Sequence, residues 1–149
     1  DSREYLQRKA LESEYAEFEE LSDANGMMQL DIPKIELIIS YYASKIKMLY
    51  KVKLMKMLWY ADSLSYKIYG HSMTGLVYCH EGMGALPIGH YKIGGLQLVN
   101  MEEECDYEYV RYHFLPNEKL NENDLSIEDK EILDKVIEKF KGYTASQIS

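Results

Sequence analysis

Two cysteines in 149 residues, Cys79 and Cys105, with no Cys-x-x-Cys spacing, exclude a disulfide framework. Such sparse usage suits a reducing compartment, and the cytoplasm is the expected location. No apolar run approaches the roughly 18 to 20 residues that cross a bilayer. No charged segment followed by an apolar one opens the chain, so neither export nor a membrane partner is expected. Positive charge is also in deficit: 17 basic residues face 25 acidic ones, and the net charge of −8 repels a phosphate backbone. Nucleic acid is therefore not an expected partner. The chain opens at Asp1 rather than Met, which points to a processed form or a fragment.

What is present describes one globular core. At 46% hydrophobic and 28% charged residues, the chain carries enough apolar surface to offset the entropy of folding, and its length suits a single domain. Charge is segregated along it. Residues 1–30 hold 8 acidic and 3 basic side chains, residues 31–70 hold 3 and 7, and residues 101–149 hold 13 and 6. A basic middle lies between acidic ends.

From Arg3 to Leu21 there is neither Gly nor Pro, and Leu11, Tyr15, Phe18 and Leu21 recur at helical spacing. An acidic N-terminal helix with a narrow apolar seam is expected there. Asn25-Gly26 marks a turn, so 23–30 reads as a linker and the main domain as 31–149. Asp31-Ile32-Pro33 is a helix start, followed by a buried face of Ile35, Ile38, Ile39, Tyr42 and Ile46. A second helix over 51–69 carries Leu54, Met57, Leu58, Trp59, Tyr60, Ala61, Leu64 and Ile68 on nearly all sides, which implies a central position. Gly70 would close it with a left-handed cap.

Between Met73 and Phe114, glycines at 75, 82, 84, 89, 94 and 95 break up short apolar runs such as 76–78 and 96–99. Short strands or extended loops are expected there. Residues 107–114 alternate in the manner of a strand, with Glu108, Val110, Tyr112 and Phe114 on one side. Ser126-x-x-Asp129 opens a late helix whose stripe is Ile132, Leu133, Val136, Ile137 and Phe140, ended by Gly142; Thr144 would cap one more helix. The fold expected is a helix-dominated α+β single domain with a central buried helix and a small glycine-rich β region, preceded by an N-terminal helix.

Catalytic constellations are missing. His71, His80, His90 and His113 do not pair with the cysteines at zinc-ligand spacing, and ordinary surface or core roles are expected for all six. No metal or cofactor is expected. Cys79 with a histidine base, or Asp62 as a lone general base, would each need surroundings that a sequence does not display; Asp62 reads better as a hydrogen-bonded structural residue. The glycines match neither a P-loop nor a dinucleotide fingerprint. No enzymatic activity is expected.

Two enrichments stand out instead. There are 14 tyrosines against 3 phenylalanines and 1 tryptophan, and Tyr suits surfaces alternately wet and covered by a partner, although core tyrosines with satisfied hydroxyls account for many such cases. Lys45, Lys47, Lys51, Lys53 and Lys56 cluster in an otherwise acidic protein, as a solvated helix face or as a match to an acidic partner surface or to nucleic acid. The candidate partner-contact residues are Lys53, Lys56, Tyr60, Tyr78, Tyr107, Tyr109 and Tyr112.

The run Lys53-Leu54-Met55-Lys56-Met57-Leu58-Trp59-Tyr60-Ala61-Asp62, followed by Thr74-Gly75-Leu76-Val77-Tyr78, resembles the core signature of the Panacea domain, the SocA-like antitoxin domain of bacterial and phage toxin–antitoxin systems. The similarity extends through the late helix opened by Ser126 and covers about 31–149. Gly84-Ala85-Leu86-Pro87 stands where many members have Gly-Pro, and the chain ends where the family commonly continues. The resemblance implies an antitoxin that neutralises a cognate toxin by direct binding, without catalysis. A general protein adaptor, or a DNA-binding regulator module without a toxin partner, is the alternative. Self-association into a homo-oligomer stays open.

Overall fold

In the computed structural model, which describes residues 2–82 and 84–141, the acidic N-terminal helix α1 (Ser2–Glu14) ends earlier than its apolar seam predicts. The reason is Tyr15. Its hydroxyl donates to the Ile88 carbonyl at 2.8 Å and accepts the Val77 amide at 3.2 Å, which turns the chain inward into a short 3-10 turn, Ala16–Phe18. Leu11 and Tyr15 are buried in the main core and Phe18 packs on it, but Leu21 is exposed.

The stretch read as a linker is pinned rather than loose. Asn25 is buried and its amide donates to the Phe18 and Glu20 carbonyls; the Gly26 carbonyl accepts the Ser72 amide at 2.7 Å, and the Asp31 amide donates to Thr74 at 2.8 Å. These bonds tie 25–31 to the segment beyond the central helix.

Helix α2 (Ile32–Lys45) begins as its sequence predicts, with Asp31 accepting the Lys34 amide at 3.0 Å and Pro33 in the first turn. Its Ile35, Ile38, Ile39 and Tyr42 are buried. Helix α3 (Lys51–Tyr69) is the central one, packed by α5 and by strands of both hairpins; Gly70, at φ 80°, caps it. Leu54, Met57, Leu58 and Ala61 are fully covered, whereas Trp59, Tyr60 and Leu64 are half-buried and Ile68 is exposed. The apolar girdle is thus narrower than expected, because the last turn of α3 runs out past the core.

Two antiparallel hairpins follow, β1 (Tyr78–Glu81) with β2 (Gly84–Pro87), and β3 (Asn100–Cys105) with β4 (Val110–Leu115), separated by the single turn α4 (His90–Ile93). Of the runs read as short strands or extended loops, 76–78 enters a strand only at Tyr78, with Leu76 and Val77 in the loop before it, and 96–98 form a bend and a turn. The strand predicted over 107–114 starts only at Val110, because Cys105 pairs with Val110 and 106–109 become the loop of the hairpin. Helix α5 (Ile127–Phe140) starts with Ser126 accepting the Asp129 amide at 3.0 Å and buries the whole predicted stripe. The expected Gly142 stop and the helix from Thr144 lie outside the described residues. Helix-dominated α+β is the architecture, and no helix of the described residues is long and apolar enough to cross a membrane.

Candidate functional site

The two halves of the signature meet at Asp62. This carboxylate is buried on α3 and accepts four bonds: from the Met73 and Thr74 amides at 2.9 and 3.1 Å, from the Thr74 hydroxyl at 2.5 Å and from the Tyr78 hydroxyl at 2.6 Å. Burial nevertheless outweighs these donors and raises its pKa, and burial beside Asp62 drives the Tyr78 phenol well up. Gly75, at φ 76°, packs against the Gln29–Leu30 backbone so closely that a Cβ would collide with it. Asp62, Thr74, Gly75 and Tyr78 therefore lock the end of α3 to the first hairpin and to the N-terminal segment. That cluster has its valences filled from within the fold.

A different face is open to solvent. Where α2 ends, residues 46–50 run back to the second hairpin: Leu49 accepts the Phe114 amide at 2.8 Å, and Tyr50 forms an antiparallel bridge with His113. Between this segment, the first turn of α3 and β4 lies a groove of about 1030 Å³. Its apolar lining includes Ile46, Met48, Val52 and Val110. Around these stand Lys45, Lys47, Lys51, Lys53, Arg111 and Lys141, and among the described residues no carboxylate lines the groove.

Aromatic rings hold several of these cations in place. The Arg111 guanidinium lies 4.9 Å from the Tyr50 ring centre and 5.6 Å from that of Tyr109, and Lys51 lies 5.7 Å from that of Tyr112. Tyr50 is itself fixed, its hydroxyl donating to Glu104 at 2.9 Å and its ring 5.0 Å from His113. Desolvation lowers the pKa of both Lys51 and Lys53, the mark of ammonium groups drawn partly out of water.

Of the seven residues singled out in the sequence, the groove brings together Lys53, Tyr109 and Tyr112. Tyr107 is fully exposed in the loop of the adjoining hairpin. Lys56 reaches toward Gly84 in β2, and Tyr60 packs edge-on against Phe140 at 4.9 Å with Lys139 over its ring. Tyr78 faces inward onto Asp62. Sequence reasoning overlooked Tyr50, Met48 and Arg111, although Met48 and Tyr50 interrupt the lysine run in an alternating order that marks the wall of a groove.

Beside the groove, Glu102, Glu104 and His113 bring possible metal-ligand atoms within 4.8 Å of one another. Glu104 and His113 are engaged otherwise, and Glu102 is exposed. His113 Nε2 donates to the Lys47 carbonyl at 2.9 Å, its Nδ1 lies 3.2 Å from Glu104, and Arg111 approaches Glu104 at 3.5 Å. A cation there would have to displace a guanidinium. Both cysteines are free and exposed, and Asp62 has no open side toward a substrate.

Residues 54–149 match the family model described as antitoxin SocA-like, Panacea domain. No curated protein and no solved structure matches the chain.

Proposed function

Since the chain belongs to the Panacea family of SocA-like antitoxin domains, we propose that it neutralises a cognate toxin by direct protein contact, without catalysis, and that the cationic groove beside β4 makes that contact. The family match over 54–149 carries the reading. Supporting it, Asp62 is spent on structure, while the groove combines three tyrosines, a methionine and an arginine, residue types enriched at protein interfaces, with apolar surface and a rim of lysines. Cations held over rings are also prearranged, which reduces the entropy lost on docking.

The test is co-expression with the neighbouring open reading frame. Alone, that neighbour should arrest growth, and this chain should relieve the arrest. A harmless neighbour, or arrest that persists when this chain is abundant and folded, removes the antitoxin reading and leaves an adaptor role.

A further inference from the structure

The groove's chemistry defines what it would take. We infer that its occupant is an acidic segment of the partner protein, carrying an aliphatic or aromatic anchor that seats on Met48, Val52 and Val110 while its carboxylates meet Lys51 and Arg111. The inference rests on the reading of this face as the contact surface and names the partner's chemistry there.

Three observations carry it. The first is charge: among the described residues six cations and no carboxylate line the groove, and the carboxylates nearest them, Glu104 at 3.5 Å from Arg111 and Glu122 at 4.0 Å from Lys45, are fewer than the cations, in a chain whose net charge is −8. The second is the start of α3. Its first turn has no acidic residue and no side-chain cap, and Lys51 and Lys53 occupy it instead. Cations at the positive end of a helix dipole are unfavourable, and an incoming carboxylate relieves both the dipole and Lys51. The third is the exposed apolar surface: Met48 is 57% and Val110 48% exposed, side by side with the cations.

A nucleic acid fits less well. Arg111 already lies over the rings of Tyr50 and Tyr109, and Lys51 over that of Tyr112, so one face of each is taken by a cation and not free to stack a base. Aliphatic lining suits a side chain better than a base.

The experiment measures fluorescence anisotropy of labelled probes against the full chain. One probe is an acidic peptide with leucine and phenylalanine anchors; the others are an all-acidic glycine-spaced peptide of equal length and charge, and a single-stranded RNA. The anchored peptide should bind at least about tenfold more tightly than either control, a difference of about 1.4 kcal/mol. The doubly reversed variant Lys51→Glu with Arg111→Glu, and separately Met48→Ser, should each weaken it about tenfold or more with melting midpoints unchanged. Equal binding of the all-acidic peptide, tighter binding of RNA, or indifference to the substitutions overturns the proposal. So does a concentration-dependent dimer that the double variant abolishes, which would make the occupant a second copy. Growth rescue in the same variants separates the two readings. Peptide binding without rescue by the wild-type chain sinks the antitoxin reading alone, and rescue that survives charge reversal sinks the groove alone.

Discussion

The Tyr78 hydroxyl donates to Asp62 Oδ2 at 2.6 Å, bridging from the first strand back to the central helix across sixteen positions. Thr74 reaches the same oxygen at 2.5 Å, so one carboxylate oxygen serves both members of the downstream signature. Asp62→Asn replaces an acceptor with a donor in front of two hydroxyls and two amides, and should cost about 1 to 3 kcal/mol for each group left unpaired. Tyr78→Phe should cost about 1.5 to 3 kcal/mol, the range for a bond to a charged group. Urea midpoints measure both. Where the variants are folded they should still relieve toxin arrest, because neither residue faces the groove.

The same carboxyl gives a pH dependence. Burial raises the Asp62 pKa above its ordinary value near 3.8. A group whose folded pKa is raised binds its proton more tightly in the native state, so its contribution is greatest below 3.8 and is lost as pH rises from there through the raised value. Denaturant titrations of the wild type and of Asp62→Asn across the acidic range should differ in slope in that window, the variant being the flatter. Parallel curves would mean that the four donors and burial cancel, and a wild type that loses stability as pH falls through this window would mean that the donors govern the site.

Gly75 and Gly70 provide a paired control. Both have positive φ, 76° and 80°, but a Cβ on Gly75 would strike the Gln29–Leu30 backbone whereas nothing lies within 4 Å of one on Gly70. Gly70→Ala should cost about 1 to 2 kcal/mol, the left-handed penalty alone. Gly75→Ala should cost clearly more, and thermal melts of the two side by side decide it.

Legibility in the sequence followed burial. Helices α2, α3 and α5 were readable because their caps at Asp31, Gly70 and Ser126 and their apolar stripes are local facts. Strand β3 was not, since Met101-Glu102-Glu103-Glu104 shows no apolar alternation: both its faces meet water except where Met101 pairs with Phe114. The Lys45–Lys56 cluster and the tyrosine surplus were visible, but which members converge was not, because the groove is built by a long-range pairing of Tyr50 with His113. Tyr78 looked like surface currency and is a structural strut, as its hydroxyl partner lies on another element.

The N-terminal segment yields the last prediction. The sequence divides the chain at about residue 30, yet Leu11 is wholly buried in the main core, Tyr15 bonds to both Val77 and Ile88, and the Gly26 carbonyl holds the Ser72 amide. A chain trimmed to 31–149 would uncover the partners of Leu11 and leave the Val77 and Ser72 amides without their acceptors, costs of about 2 to 5 kcal/mol for the apolar side chain and 1 to 3 for each amide. Their sum is comparable to the whole stability of a domain. The trimmed chain should therefore unfold without cooperativity or aggregate. Leu11→Ala in the full chain, read by melting midpoint, gives the graded form of the same test, with a loss of about 2 to 5 kcal/mol expected. A trimmed chain that melts as sharply and as high as the full one would show that 1–30 rests on the core without supporting it.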